Sequence, residues 1–135
     1  MASDTDVVIS IQADVDVLLA RQKARALATP LRFSSSELTL IATAISEVAR
    51  NIVSYAGRGE IVLRIEQRGP RRGLRVIARD QGPGIADIER AMEDGYSTSR
   101  SLGLGLPGSR RLMDEFEIAS QLGQGTVITM VKWER

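Results

Sequence analysis

Ser34 and Glu37 stand three residues apart, just before Leu38, Ile41, Ile45, Val48 and Ile52, a set of apolar residues recurring at three- and four-residue steps. The first pair is a capping box, in which each side chain accepts from the other residue's otherwise unpaired backbone N–H; the second set is one stripe of a helix with 3.6 residues per turn. The spacing predicts a helix running to Tyr55 and stopped by Gly57. Such a stripe must be covered, and the rest of the chain supplies short alternating segments that can do it. Residues 6–12 (DVVISIQ), 60–68 (EIVLRIEQR) and 73–80 (GLRVIARD) read as strands, the last two as an antiparallel hairpin joined across Gly69 and Pro70 by a turn of moderate length. Residues 14–27 read as a helix with Val17, Leu18, Arg21 and Arg25 at helical spacing, stopped by Thr29 and Pro30. RRLMDEF reads as a further helix, and EIASQLGQGTVITMVKW as two strands around Gly123 and Gly125. The sum is roughly four or five strands in one mixed, largely antiparallel sheet, with about three helices on one face. That is a two-layer α/β sandwich, expected to be a single domain over residues 1–135.

Charge and composition narrow the chemistry. The chain has 18 Lys and Arg against 17 Asp and Glu, so no net field favours nucleic acid or an anionic membrane, and neither is expected as a partner. The Arg-rich run over 58–79 reads as a solvated strand face. There is no cysteine and no histidine. Disulfides, thiolate or imidazole metal sites, Ser-His-Asp hydrolysis and any phosphohistidine acceptor within this chain are thereby excluded. MASDTDVVIS carries acids where a secretory signal needs positive charge, and no stretch approaches ~18 apolar residues, so a soluble cytoplasmic protein is expected.

Three segments invite a chemical reading. In SLGLGLPGSRRLMDEF, Gly103, Gly105 and Gly108 fit the G-x-G-x-x-G spacing. A dinucleotide fold needs a hydrophobic strand before the first glycine, but EDGYSTSRS is polar. A protein-kinase glycine loop needs a lysine on the next strand, a Walker loop needs G-K-S/T, and the only lysines are Lys23 and Lys132. What survives is a glycine loop running into a helix whose N–H groups suit a phosphate, or a surface loop that needs positive φ. Glu47 and Asn51, four apart, share one helix face. Either the glutamate makes local hydrogen bonds, or the Asn oxygen holds Mg²⁺ while Glu47 takes a proton from an attacking hydroxyl. In DQGPGI, Asp80 offers an acceptor at a strand end, and Gly82 and Gly84 let backbone approach a flat ligand; alone, this segment is also a tight turn, as GQGT is also a hairpin turn.

In this order the pieces resemble the GHKL (Bergerat-fold) ATP-binding domain. ISEVARNIVSYA resembles its N box, DQGPGI its G1 box, SLGLGLPGSRRL its G2 box and GQGT its final glycine-threonine element. The resemblance implies ATP and Mg²⁺ as cofactors, Glu47 as general base and Asn51 as the Mg²⁺ ligand. Asp80 would accept the adenine amino group, Gly82 and Gly84 would shape the adenine pocket, and Thr126 would help hold the base. Gly103, Leu104, Gly105 and Gly108 would line the triphosphate under a short lid over 95–101, with Arg50, Arg100 and Arg110 as phosphate contacts. Neither a dimerisation helix with an acceptor histidine nor a second domain donating a lysine or arginine is expected. Together with MEDGYSTS, GLPGSRRLMDEF and KWER, this makes the chain similar to the RsbT-type switch-protein serine/threonine kinases of the stressosome. The expected reaction is γ-phosphoryl transfer from ATP to Ser or Thr of STAS-domain partners, followed by activation of a PP2C-type phosphatase. The rival within the family is an RsbW-type anti-sigma factor kinase.

Overall fold

The computed structural model describes residues 6–85, 92 and 105–135. Five strands, β1 (Val7–Ile11), β2 (Gly59–Arg68), β3 (Arg71–Asp80), β4 (Glu115–Gln121) and β5 (Gly125–Trp133), form one sheet in the order β1-β2-β3-β5-β4. Every neighbouring pair is antiparallel, so the sheet is antiparallel throughout its described strands rather than mixed. Three helices, α1 (Asp14–Ala28), α2 (Ser35–Asn51) and α3 (Gly105–Leu112), share a core with one face of it, which gives the expected two-layer α/β sandwich.

Strand alternation decides which face that is. Ile61 and Leu63 on β2, Leu74, Val76 and Ala78 on β3, and Ile128 and Met130 on β5 point one way and are buried beneath Ile41, Ile45, Val48 and Ile52 of the helical layer. Each such Ile or Leu contributes roughly 1.5–3 kcal/mol relative to exposure. The opposite face is ionic: Arg64 pairs with Asp6, Arg75 with Glu66, and Arg68 with Glu115. The Arg-rich run is therefore the solvated strand face its pattern suggests. Trp133 survives there at 1% exposure because the guanidinium groups of Arg68 and Arg71 lie 4.7 and 4.3 Å from its ring centroid and cover it.

Local structure departs from expectation at four places. The β2–β3 turn is only the two residues Gly69 and Pro70, with Arg68 opposite Arg71; Gly69 takes φ 61°, the positive value a two-residue hairpin needs at its first turn position. On α1 the buried stripe is Val17, Ala20, Ala24 and Ala28, whereas Leu18 is 51% exposed. Small residues win that face because they let α1 approach α2 closely. The capping box at Ser34 and Glu37 forms as expected, at 3.0 and 2.9 Å. However, α2 stops at Asn51 and its continuation, Ile52–Ala56, is a π-turn closed by Gly57 N–H donating to the Ile52 carbonyl at 2.9 Å. RRLMDEF is not one helix: α3 ends at Leu112, and Glu115 and Phe116 already pair with β5. The Asp114 N–H donates to Val131 O and its carboxylate accepts from Trp133 N at 2.7 Å, so β5 captures the segment before a further helical turn can form.

Candidate functional site

At one end of the sheet, β3 delivers Asp80 directly opposite Thr126 of β5, with Gly59 of β2 on its other side. One Asp80 oxygen accepts the Gly82 N–H at 2.8 Å and turns the chain out of the strand; among the described residues the other makes no hydrogen bond. Close backbone approach explains the glycines. A Cβ on Gly82 would lie 2.6 Å from Cβ of Ala56, at the end of the π-turn, and one on Gly84 would strike the Gln121 carbonyl oxygen, at a φ of 78°. Gly125, at φ 124°, would drive a Cβ into the Asp80 carbonyl oxygen. Asp80, Gly82, Gly84 and Thr126 are thus gathered in one place.

Ser120 ties the loop down. Its hydroxyl accepts from Ile85 N at 2.7 Å and shares a hydrogen bond of 2.9 Å with the Thr126 hydroxyl, while Gly123 N–H reaches Pro83 O at 2.8 Å. Sequence reasoning passed over Ser120 and, although it read Gly125 as part of GQGT, gave that glycine no role of its own. Their signals were available: strand alternation puts Ser120 inward with Phe116 and Ile118, and Gly125 opens a strand against Gln121.

The second end of the site rides on α2. Glu47 is 7% exposed, so the carboxylate is buried rather than at the helix surface, yet it does make the local hydrogen bond that one of its two readings expects. Arg50, one turn on, donates to it at 2.9 Å from a side chain that is 45% exposed. Asn51, half-buried, is the last residue before the π-turn, and its amide makes no hydrogen bond among the described residues. The turn that follows presses Ile52 against Gly59 and Ala56 against Gly82, which couples the end of α2 to the Asp80 loop. α3 packs against α2 with Gly108 buried and Arg110 exposed; Arg110 forms no ion pair among the described residues. Gly105 opens that helix. Arg100, Gly103, Leu104 and the expected lid lie outside the described residues.

A buried carboxylate and an open amide at a helix end, joined through glycines to an aspartate beside a threonine, suit a ligand with a flat polar base at one end and an anion at the other. The model of the histidine kinase-like ATPase domain matches residues 11–132. This chain belongs to that family. Among relatives, the serine/threonine-protein kinase RsbT of Bacillus subtilis (strain 168) is 51% identical over 128 residues, covering 94% of this chain and 96% of that one. The anti-sigma F factor of Thermoanaerobacter sp. (strain X514) is 33% identical over 120 residues, 84% of this chain and 82% of its own. That of Clostridium kluyveri (strain ATCC 8527 / DSM 555 / NBRC 12016 / NCIMB 10680 / K1) is 31% identical over 117 residues with the same coverage.

As a member of the histidine kinase-like ATPases the chain uses ATP. Mg²⁺ fits the residues present. Among the described residues no three acidic, histidine or cysteine groups cluster as a metal cage, and one free amide oxygen at Asn51 suits an ion that takes most of its ligands from phosphate and water. No helix of the described residues is long and apolar enough to cross a membrane.

Proposed function

We propose that this histidine kinase-like ATPase is an ATP-dependent serine/threonine protein kinase of a partner-switching module, acting on Ser or Thr of STAS-domain proteins. The reading rests on one arrangement: a carboxylate buried at position 47 one helical turn before an open amide at 51, on a helix locked through Ala56 to the Asp80 loop. The 51% identity to a relative named as a serine/threonine kinase supports the same acceptor class.

In this reading Asp80 accepts the adenine amino group through its open oxygen, and Thr126 closes the pocket beside it. Asn51 would hold Mg²⁺, which would supply neutralisation of the charge on the transferring group. Glu47 accepts the proton of the acceptor hydroxyl as its oxygen bonds to the γ-phosphorus; the bond from that phosphorus to the bridging oxygen breaks, and ADP leaves with the electron pair. Arg50 holds the Glu47 carboxylate on the side of α2 from which the hydroxyl approaches, and Arg110, with no competing ion pair among the described residues, steers phosphate. The new phosphoserine or phosphothreonine adds roughly two negative charges to the partner and weakens its contact with the kinase. Freed kinase then binds and activates a PP2C-type phosphatase. ATP as co-substrate puts the reaction in the cytoplasm, within one domain that spans the chain.

Incubating the purified chain with Mg²⁺, [γ-³²P]ATP and a STAS-domain protein tests the proposal: label should appear as phosphoserine or phosphothreonine on the partner. Binding of ATP without any transfer would refute it. The anti-sigma relatives favour a second reading, a kinase that also sequesters a sigma factor. Recovery of a sigma subunit, rather than a phosphatase, on the immobilised chain would select that one.

A further inference from the structure

The last four residues, KWER, fasten parts of the fold that are far apart in sequence. Glu134 accepts from Arg32 N at 2.6 Å and from Arg72 at 2.9 Å, and Arg135 reaches Asp114 at 2.6 Å. Lys132 differs from its neighbours. It lies on the inward face of β5, opposite Leu74, and its side chain is only 7% exposed. Its ammonium donates to the carbonyl oxygen of Leu112, the last residue of α3, at 2.9 Å, and stands 3.9 Å from Asp114.

Burying an ammonium costs desolvation free energy that its hydrogen bond offsets only in part. What the amine alone supplies is a bond along the axis of α3, at the negative end of the helix dipole. That bond matters because α3 is short. Its eight residues span about 12 Å, and a helix of two turns leaves most of its terminal N–H and C=O groups without partners inside the helix. Such a helix does not hold its own position; its neighbours do. At the C-terminal end the neighbours are firm: Lys132 on Leu112, Val131 O on Asp114 N, and Trp133 N on the Asp114 carboxylate. The helix begins at Gly105 and packs as a whole against α2.

We propose that Lys132 is a positioning residue for the phosphate end of the nucleotide site. Held at its far end by the ammonium, α3 keeps a fixed place against α2, the helix that carries Glu47 and Asn51; without that bond the helix slides by a fraction of a turn and its N–H groups miss the phosphates. The adenine end is built on β3, β4 and β5 and has no part in this. The inference rests on the nucleotide site proposed above.

The experiment compares Mg·ATP and adenosine binding by calorimetry, thermal melting, and KM for ATP, in the wild-type chain, Lys132→Met and Lys132→Arg. For Lys132→Met we expect melting within a few degrees of wild type, a roughly tenfold weaker Kd for Mg·ATP, a KM raised by the same factor, and adenosine affinity within twofold. Lys132→Arg, which keeps an N–H donor, should stay within about threefold of wild type for both ligands. A merely structural lysine would move both affinities together or neither, and either result overturns the proposal. If Lys132→Met does not fold, Lys132→Leu, which also lacks a donor, replaces it and the same ratio of ATP to adenosine affinity decides. Failure of the wild-type chain to bind ATP would defeat the nucleotide reading itself; equal ratios in a wild-type chain that binds ATP would defeat only the role of Lys132.

Discussion

The two ends of the candidate site are built by different means. Around Asp80 the walls are backbone: strand register sets Asp80 against Thr126, glycines at 82, 84 and 125 admit carbonyls and loops where no Cβ fits, and Ser120 bonds the loop to the sheet. Around Glu47 the working groups are side chains on two helices, and one of them, Arg50, has nearly half of its surface in water. A flat base that stays put is served by a rigid slot. A phosphoryl group that changes hands needs groups able to respond, so the groups proposed to act on it sit on side chains while backbone geometry is kept for recognition.

That contrast can be broken by substitution. The largest effect is expected at Glu47→Ala: transfer to a partner protein should fall by at least about 100-fold, measured with radiolabel, while the Kd for Mg·ATP moves only a few-fold. Equal losses in both would mean that Glu47 belongs to the binding wall. Asp80→Asn should weaken ATP and adenosine alike by roughly tenfold or more, read by calorimetry, because it replaces an acceptor with a donor opposite an amino group. Gly125→Ala forces a Cβ towards the Asp80 carbonyl at a φ of 124° and should cost about 2 kcal/mol or more, a melting point several degrees lower, with adenosine binding lost along with it. Ser120→Ala removes the tie to Ile85 and should cost about 1 kcal/mol of stability with a modest fall in adenosine affinity.

The smallest effect concerns the ionic face, which touches neither end. The Glu115 carboxyl is held below its ordinary value of 4.5 chiefly by the Trp133 N–H and also by Arg68, and that of Glu134 chiefly by Arg72 and also by the Arg32 N–H. Folded protein thus binds these protons less readily than unfolded chain, so the stabilisation is complete above about pH 4.5 and fades as the pH falls below it. Thermal melts between pH 7 and pH 3.5 should show a shallow decline confined to the acid side. A decline beginning near neutrality would implicate other groups.

Much of this was legible in advance, for identifiable reasons. The Ser34 box, the α2 stripe and the strand alternation are local patterns, and locally consistent patterns fold as they read. Asp80 and Thr126 lie 46 positions apart and came together only through resemblance, since no single-sequence pattern states that β3 and β5 are neighbours. The alanine stripe of α1 was hidden behind the more hydrophobic Leu18, because the deciding quantity there is helix separation rather than hydrophobicity. The early end of α3 follows from the β5 backbone taking Asp114, a tertiary contact with no local signature. The π-turn also has none: IVSYA would serve equally well in an ordinary helix.

That wide turn makes chain length, more than residue identity, the quantity under constraint between Asn51 and Gly57. Losing one residue there would let an α-helical ladder close, yet it would swing everything beyond the cut by roughly 100° and carry Ala56 off Gly82. Homologous chains should therefore tolerate exchanges within this segment far better than deletions.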